Sequence, residues 1–261
     1  MPDTLSLEAQ KILEIGYSKS DNPYTLNLRS KLTVLTYLRI AEEIKQQLPP
    51  NQTLRLLDWG TGAGQMSYLL ARRGFDVTGY SYDESKTEDQ SHSVSHTTYR
   101  FADLELPLVI TNDPVTLPFQ DGHFDAVLSC GVLEHVGDEI GSLREIRRVL
   151  KPGGLFFVYQ LPQKGSWLEF ILGRFKLGYV HERKYTLPGI CQLLTAEGFT
   201  IRKVRRANML PKNFTGFPAR LKQIFEKQPT LVLKVDHALS SLPLLNQISG
   251  ILELTASKPL S

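Results

Sequence analysis

The run Leu56-Leu57-Asp58-Trp59-Gly60-Thr61-Gly62-Ala63-Gly64 constrains this chain more than any other segment. Two apolar residues lead into an acid, three glycines alternate with single residues, and Met66, Leu69 and Leu70 then share one helical face. The pattern is a strand, a tight turn and a helix with no residues to spare. In an open parallel sheet, ligands sit beyond the carboxyl ends of the strands, where the chain reverses direction across the sheet. Glycine there permits positive φ and lets a ligand touch the backbone, and the helix N-terminus behind it offers free N–H groups. A dinucleotide turn needs G-x-G-x-x-G, whereas here Gln65 follows Gly64 and the pattern is G-x-G-x-G. An acid at Asp58 disfavours phosphates and suits a cationic amino group or a sulfonium. Both features count against a nucleotide-dependent oxidoreductase.

The remaining chain continues the alternation of apolar strand and amphipathic helix that signals an α/β fold with a parallel sheet. Residues 5–48 read as helical, because Leu32, Leu35, Leu38, Ala41, Ile44 and Leu48 recur at helical spacing, and Pro49-Pro50 ends that helix. Strands are expected at 54–58, 76–81, near 106–111, and at 124–129, 155–160, 199–205 and 251–256. A helix over 139–150 should bury Ile140, Leu143, Ile146 and Val149, and another spans 187–197, with Gly74 and Gly198 as helix terminators. Two stretches break the rhythm. Residues 83–98 are almost wholly polar, and residues 211–249 insert one or two amphipathic helices before the last strand. The expected organisation is one domain over 1–261, with a helical cap at 1–50 and a helical insertion at 211–249.

Composition adds exclusions. A net charge of +3 over 261 residues is too small to imply nucleic acid or membrane, so any such contact needs a local cluster. Two cysteines, Cys130 and Cys191, build neither a disulfide framework nor a four-cysteine zinc site, and a reducing, cytoplasmic setting is the simplest reading. The sequence shows neither a secretory signal nor an apolar run of membrane-spanning length.

Further motifs follow the glycine turn in order. They are Asp113-x-x-x-Leu117-Pro118-Phe119, Asp121-Gly122-His123-Phe124-Asp125-Ala126-Val127, Gly131-Val132-Leu133-Glu134-His135-Val136, and Glu145 through Lys151-Pro152-Gly153-Gly154. With these, residues 54–210 and 250–259 resemble the small-molecule class I S-adenosylmethionine-dependent methyltransferases, the family that includes ubiquinone-biosynthesis enzymes. The resemblance implies a Rossmann-like three-layer sandwich, a mostly parallel seven-stranded sheet with an antiparallel last strand, and S-adenosyl-L-methionine as cofactor. It places the methionine moiety at Asp58, Gly60, Thr61, Gly62 and Gly64, with the Cys130–Gly131 backbone nearby, and matches Asp113 to the acid that contacts adenine. The acceptor would be a small molecule or lipid-linked, not a nucleic acid.

The adenosine half departs from that pattern. Ser81 stands where the family has the acid that holds both ribose hydroxyls, Asp83 is the nearest replacement, and Pro114 after Asp113 has no N–H to offer. A non-catalytic protein with a degenerate pocket is the alternative these departures leave open.

His135, beyond the fourth strand, and His181, with Tyr185 beyond the fifth, are the candidates for removing an acceptor proton, with a structural role as the alternative for each. Tyr17 and Tyr24 are candidates to close over the cofactor, or they simply pack. The run Arg202, Lys203, Arg205, Arg206 reads as a solvated strand face, and His92 and His96 as part of a polar surface segment; no metal site is expected. In 214–227, Phe214, Phe217, Leu221, Ile224 and Phe225 share a face beside Arg220, Lys222 and Lys227. That face could rest on an anionic membrane, roof an apolar pocket, or pack on the sheet.

Overall fold

The computed structural model describes residues 5–18, 23–50, 52–82, 106–176, 179–212 and 218–260. The strands are β1 (Arg55–Trp59), β2 (Asp76–Tyr82), β3 (Leu108–Thr111), β4 (Phe124–Cys130), β5 (Leu150–Pro162), β6 (Thr200–Ala207) and β7 (Ile251–Ser257). The described α-helices are α1 (Leu7–Ser18), α2 (Lys31–Gln47), α3 (Gln65–Ala71), α4 (Glu139–Val149), α5 (Trp167–Phe175), α6 (Leu187–Ala196), α7 (Ala219–Glu226) and α8 (Pro229–Ser241). The strands form one sheet in the order β3-β2-β1-β4-β5-β7-β6. Strands β1 to β5 are parallel, and β7 enters antiparallel between β5 and β6. The expected α/β architecture, a mostly parallel seven-stranded sheet with an antiparallel last strand, is what the chain adopts.

Alternation along the central strands builds the two outer layers. Leu56, Ala126, Leu128 and Phe157 pack with residues of α1, α2 and α3, including Ile12, Ile40, Ile44 and Leu69. Leu57, Val127, Phe156 and Val158 face the other way, onto Leu143, Ile146 and Val149 of α4 and Ile190 and Leu194 of α6. Burial on both faces is why these strands read as apolar runs rather than as alternating ones. From β1 the chain builds outward through β2 to β3, then returns to lay β4 on the other side of β1. The turns after β1 and β4 therefore lie side by side at the reversal.

Several expectations need correction. The helical stretch 5–48 is not continuous: a 3-10 helix, Pro23–Arg29, precedes α2. Ile140 is 44% exposed, so α4 buries Leu143, Ile146 and Val149 without it. Helix α5 was not foreseen. The polar run 83–98 lies outside the described residues, as do Phe214 and Phe217. The described part of that amphipathic segment, α7, buries none of its residues.

The C-terminal helices are tied down by polar contacts. Asp236 of α8 accepts from Leu210 N (2.7 Å) and pairs with Lys212, whose carbonyl accepts from Ser30 Oγ (2.6 Å) and Thr33 Oγ1 (3.0 Å). Arg205 is not a solvated cation: it pairs with Glu253 and with Glu43 (3.0 Å), and Arg39 reaches Glu253 from α2 (2.6 Å).

Candidate active site

The glycine turn is fixed by its own hydrogen bonds. Asp58, 2% exposed, lies next to the end of β1 with its Oδ2 accepting from Thr61 Oγ1 (2.9 Å) and Ser67 Oγ (2.6 Å). Burial raises its pKa against the opposing pull of those hydroxyls. Gly60 N and Thr61 N both donate to the Tyr80 carbonyl (2.9 Å each), which ties the turn to β2. Gly60, Gly62 and Gly64 all have positive φ, and Gly64 caps α3 from the left-handed region. The glycines differ in what they face. A Cβ on Gly60 would lie 2.5 Å from Val132 Cγ1 and Cγ2, whereas one on Gly62 would meet only the Gly60 carbonyl at 3.9 Å. The open space is therefore over Gly62, and Gly60 is small because Val132 packs against it.

Polar groups beside this turn suit an amino-acid moiety. The Gln65 and Asn27 side chains both reach the Tyr37 hydroxyl, yet Gln65 Oε1 and Asn27 Oδ1 are buried with no hydrogen-bond partner among the described residues. Two unused carbonyl acceptors and the Asp58 carboxylate fit a cationic ammonium group better than an anion. Next door, Cys130 ends β4 and Gly131 (φ +69°) donates its N–H to the Tyr159 carbonyl (2.9 Å). Burial, reinforced by Asp58, holds the Cys130 thiol protonated.

Ser81 is half-buried near the end of β2, paired in register with Ile110. Asp83 lies outside the described residues. Asp113 is exposed, and its Oδ1 accepts from Val115 N (2.9 Å) and Thr116 N (2.8 Å), which lowers its pKa. One carboxylate oxygen of Asp113 is thus committed to shaping its own loop. Arg148 holds that loop from α4, donating to the Leu117 and Phe119 carbonyls (2.8 and 2.7 Å).

Beyond β4 the structure gathers more titratable groups than the sequence suggested. Glu134 and His135 follow Gly131 on a 3-10 turn, Leu133–His135. The structure brings the two expected histidines together: His135 and His181 have ring centroids 6.0 Å apart. His181 Nδ1 lies 2.5 Å from Glu169 Oε1 of α5, and Lys184 Nζ is 2.7 Å from Glu169 Oε2. Glu134 was not singled out from the sequence, although it adjoins His135 in the same motif. Its Oε2 is buried with no hydrogen-bond partner among the described residues, and burial pushes its pKa up to about 7. Burial, then the charges of His181 and Arg183, lower the pKa of His135. Glu134, His135 and His181 each offer a ligand atom within 4.8 Å of the others, a spacing that also suits a metal ion. Tyr185 is structural: its hydroxyl bonds Glu139 and the Leu133 carbonyl (3.3 Å).

Tyr17 donates to the Arg29 carbonyl (3.2 Å), and Arg29 and Lys222 lie over its ring, so it pins the N-terminal segment to α7. The Tyr24 side chain, His92 and His96 are outside the described residues. No helix among the described residues is long and apolar enough to cross a membrane.

Residues 57–158 match the family model described as a methyltransferase domain. The chain is 37% identical over 144 residues to a ubiquinone biosynthesis O-methyltransferase of Caulobacter vibrioides, covering 54% of this chain and 52% of the relative. It is 28% identical over 170 residues to the 2-methyl-6-phytyl-1,4-hydroquinone methyltransferase of Synechocystis sp., covering 62% and 50% respectively. The chain therefore spans about half the length of these relatives. Among solved structures, a Methanosarcina mazei methyltransferase superposes with a TM-score of 0.55 at 19% identity, covering 84% of this chain and 98% of the other. The cyclase SpnF reaches 0.57 at 21%, covering 86% and 81%. At such identities the likeness speaks for the fold alone, and the site must carry the chemistry.

Proposed function

We propose that this chain, whose residues 57–158 match a methyltransferase-domain family, is a class I S-adenosylmethionine-dependent methyltransferase that transfers a methyl group to a small, apolar or lipid-linked acceptor. The observation that carries the reading is the locked turn Asp58–Gly64 at the reversal of the sheet, with open space over Gly62 and unused acceptors at Asn27 and Gln65. Asp58, Gly62, Gly64 and the Gln65 and Asn27 carbonyls would hold the methionine end, with Asp113 and Ser81 on the adenosine side. When bound, S-adenosylmethionine supplies a methyl group already activated by its sulfonium.

The residues of the chain then have two tasks, alignment and proton removal. His135, whose lowered pKa keeps it neutral at neutral pH, accepts the acceptor proton, and burial raises Glu134 beside it to about 7. His181, braced by Glu169, closes the opposite side of that space. Support for the acceptor class comes from the relatives, named for a phytyl-hydroquinone and for ubiquinone biosynthesis. Calorimetry with S-adenosylhomocysteine tests the cofactor site. Transfer of labelled methyl to a panel of prenylated and unprenylated phenols tests the acceptor. Absence of S-adenosylhomocysteine binding by the folded chain would overturn the reading.

A further inference from the structure

Helix α5 carries two faces with different partners. Glu169 points inward to His181 and Lys184. Phe170, Ile171, Arg174 and Phe175, spaced i, i+1, i+4 and i+5, form one outward face. Phe170 is 73% exposed and Phe175 64%, and no residue of the helix is buried. Among the described residues nothing covers this outward face, and a contiguous exposed apolar face marks an interaction surface. Tyr179, 67% exposed, stands two residues before His181.

A second exposed apolar segment adjoins the start of α5. Leu244 is 82% exposed, and Leu245 and Ile248 are 37% and 41% exposed. Their segment, which includes the 3-10 helix Leu245–Ile248, is held against the α5 approach by Gln163 Nε2, which donates to the Gln247 (2.7 Å) and Ser249 (3.1 Å) carbonyls. Charge identifies the occupant. The exposed charges between 164 and 176 are Lys164, Arg174 and Lys176, while the one acid, Glu169, is turned in and paired. No acid lies between 242 and 250. Within 164–176 and 242–250 every exposed charge is positive, and aromatic side chains beside such cations fit an anionic lipid surface.

We propose that the outer face of α5, with Leu244, Leu245 and Ile248, docks the protein on anionic membranes and so sets the acceptor side of the site at the bilayer. The proposal rests on the reading that the acceptor is lipid-linked, and it deepens that reading by naming the surface from which the acceptor is drawn. The same helix that braces His181 from within would grip lipid from without.

The test is co-sedimentation with vesicles of phosphatidylcholine alone and of phosphatidylcholine with 30% phosphatidylglycerol, a mixture chosen to be about one-third anionic. The full chain should bind the anionic vesicles, and added salt should weaken binding. Phe170→Ser with Phe175→Ser should reduce binding roughly 10- to 100-fold, as loss of two inserted aromatic rings requires. Arg174→Glu with Lys176→Glu, which leaves the apolar face intact, should reduce it on anionic vesicles and serves if the first pair misfolds. Both double variants should bind S-adenosylhomocysteine as the unaltered chain does, which separates failure of docking from failure of the cofactor site. The proposal is overturned if the unaltered chain ignores anionic vesicles, or if both variants bind them fully. It is equally overturned if the chain is a dimer that the Phe170/Phe175 variant dissociates, since the face would then belong to a second copy.

Discussion

His181 Nδ1 and Glu169 Oε1 stand 2.5 Å apart, and that one contact joins the segment beyond β5 to helix α5. Burial pushes the Glu169 carboxyl up, but the hydrogen bonds from His181 and Lys184 more than offset it, and its pKa is lowered. A carboxylate on one ring nitrogen fixes the tautomer and the direction of the other.

Glu169→Gln should therefore act through His181. We expect turnover to fall about 10- to 100-fold, the range seen when an orienting partner is removed, with unchanged affinity for S-adenosylhomocysteine. Steady-state rates with a responsive acceptor, set beside calorimetry, check this; equal loss of both would mean that Glu169 merely holds the fold.

Glu134 makes a pH-dependent prediction. Its folded pKa, about 7, lies above the unfolded value of 4.5. Proton binding thus favours the folded chain, and stability is lost as pH rises from about 4.5 towards 7. Glu134→Gln removes the buried charge. It should leave thermal stability unchanged near pH 4.5 and raise it at pH 8 by about 3 kcal/mol at most. A melting-temperature series across that range is the measurement, and a variant less stable than the parent at pH 8 would contradict the assignment.

The glycines of the turn should separate packing from binding. Gly60→Ala puts a methyl 2.5 Å from Val132, so it should destabilise the fold, and adding Val132→Ala should recover part of the loss. Gly62→Ala meets no such obstacle and pays only the left-handed strain of roughly 1–2 kcal/mol. It should stay folded yet bind S-adenosylhomocysteine at least tenfold more weakly. Melting curves and calorimetry on the three proteins distinguish the two effects.

Ser67 offers a test of the lock beneath the turn. Ser67→Ala deprives the buried Asp58 carboxylate of its 2.6 Å partner, at a cost of about 1–3 kcal/mol. Denaturant unfolding should show that loss together with weaker S-adenosylhomocysteine binding. A variant of parental stability would mean that Thr61 and the backbone N–H of residue 67 suffice.

The sheet could be read from the chain because its signals are local: runs such as Leu54–Asp58 and Phe124–Ser129 are bounded by glycine or charge, and each lies within one or two residues of its strand. What escaped is what depends on contacts between distant segments. Helix α5 was missed because Trp-Leu-Glu-Phe-Ile-Leu has no polar period to mark a buried face, and it buries none. Ile140 has the right spacing for the core and yet lies at its rim, since periodicity gives a face and not its limits. The Asp58–Ser67 bond spans a turn and a helix start, and the pairing of His181 with Glu169 needs both in place. Glu134 was legible as a motif residue, but its orphaned, buried oxygen is a property of packing alone.

Among the described residues, strand β6 bonds to β7 alone, while β7 fills the slot beside β5 with every residue buried. Until residues 251–257 arrive, β5 is an open edge and β6 has no place in the sheet. Completion of the sheet must therefore be a late event during synthesis, made through contacts almost a hundred residues apart in sequence for β5, which slows assembly. A nascent chain paused before Ile251 would display an unpaired apolar strand, the kind of surface that invites chaperones and aggregation.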